Sequence, residues 1–177
     1  MTRPATDRTP RAIEPAGLPQ LDVLGPRVAF VVPPGADDEP CVIHGTIPAA
    51  GVVPMHAHPD PETFLVLDGA VEVLADPDGP EPWMAMRAGD LHHVPGGERH
   101  GFRNRQDAPV TMLVATTARL GRFFLEVGRP VGGAGEPPGP PTAGDLRRFL
   151  EAADRHGHWT ASPEQNAAVG IVVPAPA

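Results

Sequence analysis

The chain has 177 residues, 41% hydrophobic and 20% charged, which predicts one globular, soluble domain with a sizeable core. Its formal net charge of −8 argues against nucleic acid or an anionic membrane surface as a partner. Because the sequence contains neither lysine nor tyrosine, Schiff-base chemistry and phenolic acid catalysis are excluded. Cys41 is the single cysteine, so no disulfide can form within the chain, and a buried, unreactive thiol is expected.

The sequence of the N-terminal region indicates neither a membrane anchor nor a packed helix or strand. Residues 1–20 are rich in proline and polar residues, which favours a flexible arm. No apolar run in the chain reaches the length of a transmembrane helix, and the first residues lack the apolar stretch of a secretory signal. A cytoplasmic protein without a membrane partner is therefore expected.

Residues 21–127 are predicted to form an all-β domain. Short apolar runs alternate there with turns of Gly, Pro and Asp, and D-G at 68–69 between two such runs indicates a hairpin. Many short strands at near-regular spacing indicate a sandwich or a barrel. The predicted strands are 27–32, 41–47, 63–67, 70–75, 83–86, 91–94 and 110–116.

The C-terminal third has a different pattern. Residues 120–127 predict a short helix, and 128–144 form a Pro/Gly connector without regular structure. Thr142 and Asp145 resemble a capping box, and Gly157 can end the helix that is predicted over 145–158. This helix is expected to pack outside the β core through residues at helical spacing, Leu146, Phe149, Leu150 and Ala153. Residues 159–177 are predicted to be a tail.

A cluster of metal-binding residue types lies in P-M-H-A-H-P-D-P-E, residues 54–62. In a strand, residues two apart share a face, so His56 and His58 can chelate one ion. Glu62 opens the next predicted strand, and its carboxylate can turn back to the same point. Two imidazoles and a carboxylate suit one divalent transition metal ion: Mn, Fe, Co, Ni, Cu or Zn.

A second histidine follows a turn downstream, in G-D-L-H-H-V-P-G-G-E-R-H-G-F-R-N, residues 89–104. Gly89 starts a strand, and Pro95 with the glycines after it makes a turn. His100 begins the returning strand, where Phe102 and Asn104 share its face.

Together the two stretches resemble the two motifs of the cupin superfamily. The first motif places a glutamate after H-x-H and a glycine after six further residues, as in His56, His58, Glu62 and Gly69. The second motif, G-x5-P-x-G-x2-H-x3-N, is matched at every position, by Gly89, Pro95, Gly97, His100 and Asn104. In one departure, four residues separate Gly51 from His56 where the family usually has five, which affects a loop length and not the ligands.

The resemblance implies a double-stranded β-helix, a jelly-roll barrel with one or two C-terminal helices packed outside it. It also implies that His56, His58, Glu62 and His100 hold a metal ion inside the barrel. The alternative is a cupin without a metal, in which three imidazoles and a carboxylate would need separate hydrogen-bond partners.

The other histidines leave several roles open. His92 and His93 are adjacent on a predicted strand, so only one of them can face the cavity. His44 either lines the pocket or has no part in it. His156 and His158 flank the end of the C-terminal helix, where an imidazolium suits the helix dipole and needs no further role.

The reaction is not determined by the ligands alone. The chain looks most like small bacterial cupins similar to quercetin dioxygenases, which implies O2-dependent cleavage of an enol- or phenol-bearing small molecule. Glu62 would then be both ligand and general base. Two rival classes are a non-redox metal cupin (a polyketide cyclase, isomerase or lyase) and a non-catalytic binding cupin, against which the complete ligand set argues.

Two further expectations concern the surroundings of the site. The side chains of Phe64, Val66, Phe102 and Met112 are predicted either to form apolar walls of the pocket or to belong to the core. Because cupins of this size are often dimers, a homodimer is one expectation, and the run 27–32 is either an exchanged strand or an internal one.

Overall fold

A computed structural model describes residues 12–36, 39–132 and 139–173, which contain twelve strands and three α-helices. The first ten strands are β1 (Gln20–Asp22), β2 (Arg27–Val32), β3 (Pro40–Ile47), β4 (Val52–Ala57), β5 (Glu62–Asp68), β6 (Ala70–Leu74), β7 (Trp83–Arg87), β8 (Leu91–Val94), β9 (His100–Arg103) and β10 (Val110–Thr117). Two short strands follow, β11 (Arg129–Pro130) and β12 (Trp159–Thr160). The helices are α1 (Ala118–Val127), α2 (Ala143–Arg155) and α3 (Pro163–Ala168).

The strands form two antiparallel sheets, which confirms the predicted jelly-roll barrel. The seven-stranded sheet has the order β11-β1-β2-β3-β10-β5-β8, and the five-stranded sheet has the order β12-β4-β9-β6-β7. Consecutive strands β4 and β5 lie in opposite sheets, as do β8 and β9. The chain therefore crosses between the sheets at both places where the sequence carries its histidine motifs.

The core fills the space between the two sheets. In β3 and β10 every second side chain is buried, as expected for strands with one face toward the interior. Phe64 and Phe102 meet across the interior with ring centroids 4.8 Å apart. Both of them, with Val66 and Met112, belong to the hydrophobic core. The sequence had left open whether these four side chains form the core or the walls of the pocket.

The seven strands predicted from apolar runs all appear, with ends shifted by no more than one residue. The run 27–32 is an internal strand that pairs with β1 and β3. Residue Gln20 lies in β1 and not in an N-terminal arm, while residues 1–11 of that predicted arm lie outside the described part of the chain.

The helices follow their local sequence signals. The Thr117 side chain accepts a hydrogen bond from the Leu120 backbone and caps α1. The predicted capping box between Thr142 and Asp145 is present at the start of α2. Helix α2 ends at Arg155 and not at 158, and its buried residues are Ala152 and Ala153. No helix in the described ranges is both long enough and apolar enough to cross a bilayer.

The structure differs from the prediction of a tail over 159–177. Strand β12 pairs with β4, and α3 follows it against the five-stranded sheet. Asn166 is buried and its side-chain oxygen accepts a hydrogen bond of 2.9 Å from the Met55 backbone N–H. Ile171 is 1% exposed and packs with Met55. The sequence did not predict this segment because it has no periodic apolar run and is held mainly by these long-range contacts. Residues 174–177 are outside the described ranges.

Asn104 holds together the loops next to the barrel wall. Its side-chain amide donates to the carbonyls of Ile47 (3.2 Å), Pro48 (2.9 Å) and Ala108 (2.8 Å), and its oxygen accepts from the Gln106 N–H at 2.9 Å. The residue is only 2% exposed. The asparagine of the second motif is therefore a structural clamp: its hydrogen bonds join the loop after β9 to the end of β3.

We expect Asn104→Ala to lower the free energy of unfolding by about 2–4 kcal/mol, because several buried backbone groups lose their partner. Urea denaturation of the purified protein measures the change. Gln106→Ala is the matched control: it removes an exposed side chain and keeps the backbone N–H that bonds Asn104. Equal stability of the two variants would contradict the clamp.

Candidate metal centre

Three histidines come together at one end of the barrel. His56 lies on β4, His58 follows that strand directly, and His100 begins β9, in register with His56. Their ring centroids are 5.5 Å (56–58), 4.2 Å (56–100) and 5.1 Å (58–100) apart. One nitrogen from each ring lies within 4.8 Å of the other two, so the three imidazoles can bind one metal ion.

Glu62 is the neighbour of two of these imidazoles. It begins β5 in the opposite sheet and is 5% exposed. Its Oε2 lies 3.1 Å from Nε2 of His58 and 3.2 Å from Nε2 of His100. Within the described residues, the set of mutually close ligand atoms contains the three histidines and not Glu62. The structure thus brings all four sequence-predicted residues together, and the carboxylate contacts His58 and His100.

Backbone carbonyls orient two of the three rings. Nδ1 of His56 lies 2.8 Å from the Pro54 oxygen, and Nδ1 of His100 lies 3.0 Å from the Glu98 oxygen. A carbonyl oxygen can only accept, so each Nδ1 carries a proton, and Nε2 is the nitrogen that each ring turns to the centre. Bonds of this kind are usual behind histidines that bind metals. In His58, by contrast, Nδ1 is buried without a hydrogen-bond partner.

Burial and local charges shift the pKa values of Glu62, His56 and His58 in different directions. Burial raises the pKa of Glu62, but hydrogen bonds from His100 and His58 outweigh it and lower this pKa to about 2. Burial, followed by the charges of His100 and His58, lowers the pKa of His56 well below its usual value. Burial also lowers the pKa of His58, but the hydrogen bond to Glu62, together with the charges of Glu62 and Asp60, outweighs it and raises this pKa. The carboxylate is therefore ionised, and His56 is neutral.

These observations fit a metal ion in three respects. Nδ1 of His56 and of His100 is bonded to a carbonyl, which leaves Nε2 as the nitrogen of each ring that can coordinate; an ion bound there would replace the hydrogen that His100 Nε2 donates to Glu62. The carboxylate supplies negative charge to a buried place where positive charge must balance it. Imidazole and carboxylate are the donors that first-row transition metals accept. The residues present thus suit the ion that the sequence predicts.

A cavity of about 240 Å³ adjoins the centre at His100. It lies between the loop after β6 and the turn after β8. His92 pairs with Phe64 across β5 and β8, so its side chain shares the inner face with that buried ring. His93 points outward, where its Nδ1 lies 2.9 Å from the Thr63 hydroxyl. As predicted, only one of the two adjacent histidines faces the interior.

The structure also shows the surroundings of two further residues of the barrel, His44 and Cys41. His44 alternates with buried Ile43 and Gly45 on β3 and therefore lies on the outer face, so it does not line the pocket. Cys41 is fully buried, and burial raises the pKa of its thiol to about 11. It remains protonated and unreactive at neutral pH, as expected.

Two residues near the centre, His158 and Asp60, make contacts that the sequence did not indicate. The His158 ring lies 5.2 Å from that of His58, although the sequence interpretation gave it no role. Asp60 is 3% exposed beside His58, and its carboxylate binds the Thr117 hydroxyl and the Arg119 guanidinium. No sequence motif marks Asp60, and only its burial in the structure distinguishes it. His158 reaches the centre through the pairing of β12 with β4, which no local sequence pattern predicts.

The comparisons with known proteins agree with this fold. Residues 43–116 match Cupin_2, a cupin domain, and this range contains all four predicted ligands. No curated protein matches the chain in sequence. Among solved structures, the polyketide cyclase RemF from Streptomyces resistomycificus is 18% identical with a TM-score of 0.55, and the match covers 62% of this chain and 80% of that one.

Two further structures have the same architecture. A predicted oxalate decarboxylase from Thermotoga maritima is 15% identical with a TM-score of 0.51, covering 60% of this chain and 98% of that one. An uncharacterized protein with a double-stranded β-helix domain from Klebsiella pneumoniae is 19% identical with a TM-score of 0.50, covering 62% and 91%. At these identities the likeness concerns the fold. The domain match over residues 43–116 and the two antiparallel sheets agree on a jelly-roll fold of the cupin type.

Proposed function

We propose that the protein is a metal-dependent enzyme that holds one divalent transition metal ion with His56, His58, His100 and Glu62. The observation that carries this proposal is the convergence of three imidazoles, with a buried carboxylate in contact with two of them. When bound, the ion supplies a positive centre for an anionic substrate oxygen and, with a redox-active metal, for O2.

The proposed reaction is the oxygenation of an enol- or phenol-bearing small molecule of the flavonol or aromatic polyketide type. The cupin motifs support it, and so does the position of Glu62, an ionised carboxylate in contact with His58 and His100. Glu62 accepts the hydroxyl proton of the substrate. Its pKa of about 2 makes it a weak base while both imidazoles donate to it, so release of one of these bonds raises its basicity.

The cavity beside His100 is the proposed substrate site. At about 240 Å³ it is slightly smaller than common small-molecule pockets, which favours a compact substrate. Its lining includes polar groups, among them the Arg99–Asp78 ion pair and His92. These groups can orient a substrate that carries several hydroxyl or carbonyl oxygens.

A second candidate is a non-redox reaction on the same class of substrate, catalysed by a cyclase, isomerase or lyase. It uses the same four residues, and a polyketide cyclase shares the fold. In that reaction Glu62 moves a proton without consumption of O2. A third class, a non-catalytic binding protein, uses the cavity without turnover.

Metal content and oxygen dependence separate these functions. We expect about one transition metal ion per chain by elemental analysis after reconstitution. We also expect O2 consumption with a flavonol or an aromatic polyketide on at least one of the metals Fe, Mn, Ni, Co, Cu or Zn. Turnover that persists under anaerobic conditions would favour the cyclase class. A protein that takes up no metal would overturn the proposal.

A further inference from the structure

The C-terminal segment brings an additional imidazole to the metal centre. Strand β12 pairs with β4 so that Trp159 lies opposite Ala57 and Thr160 opposite His56. The Ala161 N–H continues this ladder with a bond of 3.0 Å to the Met55 oxygen. The same antiparallel register, extended by one residue, places His158 opposite His58. Cross-strand partners of this kind are near neighbours on a sheet.

His58 is the ligand histidine that lacks support behind its ring. Its side chain is almost completely buried, and Nδ1 has no hydrogen-bond partner, whereas Nδ1 of His56 and of His100 each donates to a carbonyl. The nearby Asp60 carboxylate is already bound to Thr117 and Arg119. When Nε2 of His58 is turned to a metal ion, Nδ1 carries the ring hydrogen, and a buried N–H without an acceptor is costly and leaves the ring orientation less defined.

His158 has the distance and the surroundings of an acceptor for this N–H. Its ring centroid lies 5.2 Å from that of His58, and two imidazoles joined by an N–H···N bond of about 2.9 Å have centroids about 5 Å apart. Phe123 packs on the His158 ring at 4.3 Å, and the His158 backbone N–H donates to the Ala153 oxygen at 2.8 Å. These contacts hold the His158 ring beside that of His58.

The chemistry of the ring fits the same assignment. A neutral imidazole has one nitrogen that carries a hydrogen and one nitrogen with a free lone pair. A neutral imidazole can accept a hydrogen bond from Nδ1 of His58, while an imidazolium cannot.

The position of His158 is fixed by contacts that lie far from the metal centre. Asn166 bonds the Met55 backbone from α3, and the Trp83 indole N–H donates to the Val169 oxygen at 2.8 Å. Ile171 inserts its side chain beside Leu74 and Met55. The segment is thus anchored on both strands that flank β9, and His158 is held by packed structure.

We propose that His158 is a positioning residue for the metal ligand His58: it accepts the Nδ1–H of His58, fixes the tautomer and directs Nε2 toward the metal ion. This inference rests on the proposed metal-binding function. It extends the metal site beyond the barrel, to a segment that follows the Cupin_2 match by more than forty residues.

Metal affinity of His158 variants tests the inference. His158→Phe keeps the aromatic packing on Phe123 and removes both ring nitrogens, whereas His158→Gln keeps an acceptor. His156→Phe is the matched control, because His156 lies in the same segment and contacts Phe123 but bonds Glu126. Competition with a chelator gives the affinity for Co²⁺ and Zn²⁺, and the visible spectrum of the Co²⁺ form reports the ligand geometry. Thermal unfolding of the metal-free proteins monitors the fold.

We expect His158→Phe to bind metal about 10- to 100-fold more weakly than the wild type and to change the Co²⁺ spectrum. His158→Gln should recover most of the affinity, and His156→Phe should resemble the wild type. Metal binding by His158→Phe that equals the wild type would overturn the inference alone, as would equal losses in His158→Phe and His156→Phe. A wild-type protein that binds no metal would overturn both the inference and the proposed function.

Discussion

Replacement of His100 by alanine should weaken metal binding by more than about 100-fold, because losing a ligand exceeds the 10- to 100-fold effect of losing a partner behind one. The His100 side chain is 2% exposed, and its Nε2 faces both the other imidazoles and the Glu62 carboxylate. Without it, two imidazoles remain, and the buried carboxylate loses one of its two donors. Chelator competition with Zn²⁺ or Co²⁺ measures the loss.

His44→Ala is the matched control for this variant, since it removes an imidazole from the outer face of the same barrel. We expect it to bind metal as the wild type does. Circular dichroism and thermal unfolding of the metal-free variants show whether His100→Ala keeps its fold. A folded His100→Ala protein that binds metal with wild-type affinity would contradict the proposed centre.

Glu62→Gln should reduce kcat by about 10²- to 10⁴-fold at saturating metal, the range that general-base catalysis contributes. The amide has nearly the shape of the carboxylate, so the barrel keeps its packing, but it can neither accept a proton at neutral pH nor balance the charge of two imidazoles. Metal affinity should fall less than in His100→Ala, because all three imidazoles remain. Steady-state kinetics with the substrate identified by the oxygen assay gives kcat and KM separately.

The control for Glu62→Gln is Glu126→Gln, which removes an exposed carboxylate from α1, outside the barrel. Its kcat should equal that of the wild type. Unchanged kcat in metal-saturated Glu62→Gln would leave Glu62 as a ligand without a role in proton transfer. A normal kcat with a raised KM would instead assign it to substrate binding.

The barrel could be predicted from the sequence because its strands carry local signals. Alternating apolar residues mark β3 and β10, D-G at 68–69 forms the turn between β5 and β6, and Gly69 adopts a positive φ of 83° there. The spacing of His56 and His58 is equally local, since it depends only on the two-residue repeat of a strand. Joining them to His100 required the motif resemblance, because β4 and β9 pair across more than forty residues.

The features that the sequence did not predict depend on pairing between distant segments. Trp159 and Thr160 form a strand only because β4 offers an edge, and two residues are too few to give a periodic signal. His92 faces inward because β8 aligns Val94 with Glu62, a register that no local pattern defines. The separation of Glu62 from His56 is likewise a property of the two facing sheets.

The pairing of β12 with β4 has a consequence for association between chains. Without β12, the strand that carries His56 would be an edge of the five-stranded sheet, with backbone N–H and C=O groups free to recruit another chain. The short strand covers the part of β4 that carries His56 and occupies those groups. A strand from a second molecule therefore cannot add at this place by sheet extension. The same residues that hold His158 also protect the strand that carries His56 from edge-to-edge aggregation.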